Sequence, residues 1–174
     1  MRYAAFLRAI NVGVHNRIKM AALRALCEAA GFDRVTTYLQ SGNLVFESTG
    51  PPEETARRLE TALVDRGLRN AAAIVRTADD LADLAACTAF EPFSPDAYTR
   101  FVTLFRTEVP PGAADLAAGS ESAVLLRDRE LFSVLPVDRP PGFDLNGSLE
   151  KRLKVQGTTR YWHIVQEVNR LVQE

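Results

Sequence analysis

Hydrophobic and polar positions follow two different periods along this chain, and the changes of period mark out its elements. Tyr3 to Arg8 is a short apolar run with strand character. Met20, Leu23, Leu26, Cys27 and Ala30 then recur at helical spacing, with Gly31 where a C-terminal cap belongs. Val35-Thr36-Thr37-Tyr38-Leu39 and Leu44-Val45-Phe46 are rich in β-branched and aromatic residues, and Ser41-Gly42-Asn43 between them is turn chemistry, so this stretch predicts a hairpin. Pro51 and Pro52 open a helix with apolar positions Ala56, Leu59, Leu63 and Val64. Ala72-Ala73-Ile74-Val75 supplies a further strand.

That order, βαββαβ, is the ferredoxin-like one. A helix near Ala78 to Ala86 follows, and then Phe90-Glu91-Pro92-Phe93-Ser94-Pro95-Asp96, a proline-punctuated connection at which the chain divides into halves 1–87 and 88–174. In the second half, Phe101 to Phe105 reads as a strand, Pro110-Pro111 starts a short helix through Leu116, and Gly119 ends it. Ala123 to Leu126 and Leu131 to Leu135 flank Arg127-Asp128-Arg129-Glu130 as a second hairpin. Pro136 to Gly147 is a long loop rich in Pro and Gly, and Gly147-Ser148 begins a short helix. Thr158 or Thr159 caps the last helix, whose apolar stripe is Tyr161, Ile164, Val165, Val168, Leu171 and Val172, with Trp162 at its border as a core residue. The second half thus repeats βαββα without an evident final strand, and no residue-level self-similarity links the halves. The expected fold class is α+β: two ferredoxin-like βαββα(β) halves with antiparallel or mixed sheets and helices packed on one face.

Composition adds limits to this picture. A chain of 174 residues, 47% apolar and 25% charged, is an ordinary globular one. A formal net charge of -1 with a pI near 6.2 argues against a large non-specific phosphate-backbone binder. No apolar run reaches the length of a membrane span and no signal-peptide core follows Met1, so the chain reads as cytoplasmic, without a membrane partner. Cys27 and Cys87 lie far apart in apolar helical patterns and read as reduced, unpaired, non-catalytic thiols. With His15 and His163 they show none of the close spacings of a zinc site, so neither a metal nor a cofactor is expected.

Candidate chemistry concentrates between Phe6 and Met20. Arg8, Asn11, Asn16, Arg17 and Lys19 all offer donors to anions, and Gly13 lets the backbone approach a ligand closely. In a ferredoxin-like unit the first and second strands run parallel, so the loop leaving the first and the hairpin after the second emerge at one end of the sheet. Asn11 to Lys19 should therefore meet Gln40, Ser41 and Asn43, forming an edge suited to phosphate or carboxylate. Arg160, placed in the first turn of the last helix, opposes the helix dipole unless an anion sits beside it. Its neutralising partner is either an internal one such as Glu150 or a ligand, in which case Thr158, Thr159 and Arg160 contribute to the site. The plainer reading of the whole cluster is turn chemistry that fastens the loops.

Three stretches match a known family. Leu7-Arg8-Ala9-Ile10-Asn11-Val12-Gly13-Val14 followed by Lys19-Met20, Tyr38-Leu39-Gln40-Ser41-Gly42-Asn43-Leu44-Val45-Phe46, and Thr158-Thr159-Arg160-Tyr161-Trp162 resemble signatures of the uncharacterised bacterial domain-of-unknown-function family 1697. The resemblance runs nearly end to end and implies no assigned activity. The family usually has glycine where this chain has Ala9 and Val14, and asparagine where it has Tyr161 and His163.

Common catalytic constellations are missing: the sequence has no zinc-protease helix, phosphate-binding Gly-Lys-Ser loop, nucleophile elbow or dinucleotide fingerprint. Two functions follow from the residues. The first is binding of a small anionic or phosphate-containing ligand at the loop edge. The alternative is an RNA-binding module, because RNA-recognition motifs share the βαββαβ order and Gly42 to Phe46 faintly echoes their third-strand signature. Stacking would need exposed aromatic residues on the central strands, where the sequence offers only Tyr3, Phe6 and Phe46.

Overall fold

The computed structural model describes residues 1–12, 16–118, 122–138 and 154–174. Gly13, the helix end at Gly119, the loop from residue 139 onward, the helix start at Gly147-Ser148 and the candidate partner Glu150 lie outside these residues. The chain divides into two compact units, Met1–Ala85 with Gln166–Glu174, and Ala86–Val165.

In the first unit the elements are β1 (Arg2–Arg8), α1 (Met20–Ala29), β2 (Asp33–Tyr38), β3 (Asn43–Glu47), α2 (Pro52–Asp65), β4 (Ala72–Thr77) and α3 (Ala78–Ala85). The strands form one antiparallel sheet in the order β2-β3-β1-β4. Because β3 is antiparallel to both β2 and β1, those two strands run parallel to each other, as the expected topology requires. Leu23 and Cys27 of α1 and Leu59 and Leu63 of α2 pack on the sheet face that carries Tyr3, Ala5, Leu7, Leu44, Phe46 and Val75. The alternate set, Ala4, Phe6, Val45, Ile74 and Arg76, is buried as well, so the central strands are enclosed on both faces and read as near-continuous apolar runs.

Local chemistry sets the helix ends. Gly31, at φ +81, ends α1, with its N–H on the Glu28 carbonyl and that of Phe32 on the Cys27 carbonyl. Proline begins α2, and Glu53 and Glu54 complement its dipole. No loop separates β4 from α3. Thr77 and Asp80 cap that junction reciprocally, the Thr77 N–H donating to Asp80 Oδ2 at 2.9 Å and the Asp80 N–H to Thr77 Oγ1 at 3.0 Å.

The second unit contains β5 (Tyr98–Phe105), α4 (Ala113–Ala118), β6 (Ala123–Leu126), β7 (Glu130–Pro136) and β8 (Gly157–Tyr161), followed by α5 (Trp162–Gln173). Its sheet, also antiparallel, has the order β6-β7-β5-β8, so β5 to β8 occupy the places of β1 to β4. This corrects the expectation of a missing final strand: Thr158, Thr159 and Arg160 are in β8, and the last helix starts at Trp162. A β-branched pair followed by Arg-Tyr favours a strand more than a cap, and β8 passes into α5 without a loop, as β4 does into α3. Trp162 is core, packed against Phe90 and Phe132 at centroid distances of 5.4 and 6.0 Å.

The later part of α5 belongs to the first unit. Arg2 Nη2 donates to the Leu171 carbonyl at 3.2 Å, Gln173 Nε2 donates to the Ala78 carbonyl at 2.8 Å, and Val168 and Val172 are buried.

Candidate functional site

The loop after β1 is built around side-chain amides that behave like pieces of backbone. Asn11 Oδ1 accepts the Ile18 N–H at 2.8 Å, while its Nδ2 donates to the Ile18 carbonyl at 3.1 Å and to the Gln40 carbonyl at 2.8 Å. Both amide hydrogens are therefore used. One of those bonds ties the loop to the hairpin, bringing together the two segments that strand direction predicts should meet. The Asn11 N–H closes the loop on the Asn16 carbonyl at 2.9 Å. Asn16 Nδ2 donates to the carbonyls of Ala9 and Arg69, at 2.8 and 2.5 Å.

The hairpin is fixed in the same manner. Asn43, fully buried, donates through Nδ2 to the Tyr38 carbonyl at 2.8 Å and to Ser41 Oγ at 3.0 Å. Gly42, at φ +76, gives its carbonyl to the Leu7 N–H at 2.7 Å. A Cβ there would stand 2.5 Å from Ile10 Cδ1 and 2.8 Å from Leu7 Cβ, so both the backbone conformation and the space demand glycine. Ala9, Asn11 and Asn16 all adopt left-handed backbone, at φ 58, 53 and 51. Asparagine tolerates this conformation and alanine does so at a cost.

These bonds sort the candidate residues. The amide donors of Asn11, Asn16 and Asn43 hold protein carbonyls and a hydroxyl, which makes them fasteners of the edge. A recess of about 670 Å³ remains, lined by Asn11, Arg17, Ile18, Lys19, Met20 and Gln40. Arg8 is half-buried at the end of β1 opposite Ala72, and Ser41 receives the Asn43 amide; neither lines the recess. Ile18 and Met20 do line it, although periodicity alone assigns them to loop and core; the signal was the alternation Arg17-Ile18-Lys19-Met20.

Helix α1 differs from its neighbours at the recess. No acidic residue occupies its first turn, whereas α2 begins with Glu53 and Glu54 and α3 with Asp79 and Asp80; its N-cap residue, Lys19, makes no side-chain cap bond, a trait it shares with Pro51 of α2. Positive charge thus leads into a helix end that is itself partially positive.

Thr158, Thr159 and Arg160 belong to the second unit. Arg160 Nη1 donates to Thr158 Oγ1 at 2.7 Å and to the Thr159 carbonyl at 2.9 Å, and burial brings its guanidinium pKa down to about 10. Placed in a strand, it loses the helix-dipole argument for a neighbouring anion. Thr159 Oγ1 shares a hydrogen bond with Thr103 Oγ1 at 2.6 Å.

Elsewhere, chemistry is quiet. Cys27 is buried and both cysteines are free thiols; desolvation, helped by the charge of Glu28, pushes the Cys27 thiol up to about 12, far from a nucleophilic thiolate. Tyr3, Phe6 and Phe46 are fully buried, so the central strands of the first sheet present no aromatic platform for bases. No group of three or more metal-ligating side chains occurs among the described residues, and none of the described helices is long and apolar enough to cross a membrane.

A family model described as "Protein of unknown function (DUF1697)" matches residues 1–132, a range that holds the loop and hairpin signatures and stops before Thr158. The solved structure of conserved bacterial protein SP0830 from Streptococcus pneumoniae is similar with a TM-score of 0.67, covering 98% of each chain at 22% identity, a likeness of fold. No curated protein matches the chain.

Proposed function

The chain belongs to the DUF1697 family of proteins of unknown function, whose description names no activity, and from the geometry of the loop edge we propose that it binds a small anionic, phosphate-containing ligand. The observation that carries this reading is the recess itself: Arg17 and Lys19 line it where they lead into α1, and that helix has neither an acidic first turn nor a side-chain cap. A helix start of this kind attracts anions through its free N–H groups and its dipole. Gln40 adds an amide from the hairpin, and the asparagine fasteners keep loop and hairpin in place before any ligand arrives.

Calorimetric titration with pyrophosphate tests the reading. A charge-assisted contact to phosphate is worth ~1.5 to 3 kcal/mol, so Lys19→Ala should weaken binding roughly ten- to a hundred-fold. Arg57→Ala, on an exposed part of α2, should leave it unchanged. An affinity that ignores both Arg17→Ala and Lys19→Ala refutes the site.

A further inference from the structure

The recess is larger than an inorganic anion requires. Its volume of about 670 Å³ falls within the range of roughly 300–1,000 Å³ typical of sites that enclose a whole small organic molecule. Its lining is also of two kinds. Lys19 has extended backbone, and along Arg17-Ile18-Lys19-Met20 exposed cations alternate with apolar side chains, Ile18 buried and Met20 half-buried against the core. Arg17 and Lys19, two residues apart, offer two positive charges. A carboxylate or a phosphodiester brings one negative charge, whereas a phosphate monoester brings about 1.5 to 2 near neutral pH.

The apolar part of the lining has a use of its own. Met20 presents an unbranched, polarizable thioether, which adapts to flat or irregular groups and makes favourable contacts with aromatic rings. Val12 and Leu39, next in sequence to the lining residues Asn11 and Gln40, are 71% and 50% exposed, the latter in left-handed backbone at φ 57. Exposed apolar side chains one residue along the chain from the lining of a charged recess suit a ligand with an apolar body. The Asn11 amide, with both hydrogens committed to protein carbonyls, has no donor left for a polar body, and Gln40 is the lining amide that remains.

We infer that the recess takes an organic phosphate monoester, its phosphate at Arg17 and Lys19 and an apolar, ring-bearing ester group against Met20. This rests on the anion-binding reading above and narrows it. The test is calorimetric titration of the full chain with inorganic phosphate, glycerol 1-phosphate and phenyl phosphate. Phenyl phosphate should bind at least about tenfold more tightly than the other two, a gap of ~1.4 kcal/mol. Met20→Gln should remove most of that gap, and Met20→Leu should retain it. Lys19→Ala should weaken all three. Equal binding of phenyl phosphate and inorganic phosphate overturns this inference alone, as does a gap that survives Met20→Gln. Failure of all three compounds to bind overturns the anion-binding reading with it.

Discussion

The two units have the same strand order, yet they fasten the same corner by different means. In the first, the loop after β1 is tied down by the amides of Asn11 and Asn16, and its hairpin by that of Asn43. In the second, the loop after β5 is held by backbone bonds: the Phe105 N–H to the Arg129 carbonyl at 2.8 Å, and the Val109 N–H to the Asp128 carbonyl at 2.7 Å. The Phe105 bond is the counterpart of that between Leu7 and Gly42. Pro110 and Pro111 add stiffness there that the first loop lacks. A shared topology therefore does not imply a shared edge. Side-chain amides hold the first loop in left-handed turns beside a charged recess, whereas backbone bonds span the second.

The widest contrast should appear at glycine. Gly42→Ala meets a closed space as well as an unfavourable φ and should cost about 3 to 4 kcal/mol, whereas Gly112→Ala, at φ +84 with nothing near its Cβ, should cost only about 1 to 2 kcal/mol in urea unfolding. Equal costs would mean that the hairpin is not wedged against β1. Next in size are the amides. Asn43→Ala removes a fully buried amide and leaves the Tyr38 carbonyl and the Ser41 hydroxyl without their donor, and should destabilise by about 2 to 3 kcal/mol without any ligand present. Lys19→Ala, exposed, should leave the unfolding midpoint nearly unchanged. A reversal of that ranking would return Asn43 to the ligand and make Lys19 the fastener. The smallest effect is a gain: Ala9→Gly relieves a φ of 58 but frees the unfolded chain, a net stabilisation of about 0.5 to 1 kcal/mol in the same assay.

Most of the first unit was legible in the sequence because each signal agreed with its neighbour. Gly31 ends α1, Pro52 starts α2, and strand direction alone brings Asn11 to Gln40. What could not be read was which side of each polar residue would be used. An asparagine in a loop has the same letter whether its amide faces a ligand or a carbonyl, and three of the candidates face carbonyls. In the second unit, Thr158-Thr159-Arg160 reads as a helix start because hydroxyl residues before an amphipathic stripe are the common sign of a cap, while this strand runs straight into its helix.

A likeness between the halves, invisible as residue identity, is visible at Arg76 and Arg160. Each lies on the fourth strand of its sheet, opposite Ala4 and Val102 of the respective first strands, buried. Each turns Nη1 back to the carbonyl of the preceding residue, Val75 at 3.1 Å and Thr159 at 2.9 Å. Both strands are sheet edges.

Residues Gln166–Glu174 pack with the first unit although they follow the whole of the second. A ribosome delivers the chain from its N-terminus, at about 5–20 residues per second. The strands made first thus wait, with the surfaces that Val168 and Val172 will cover still open, until the second unit has emerged. The half that begins earliest is the one completed last, so a stall or a cleavage before Gln166 leaves it short of part of its own core.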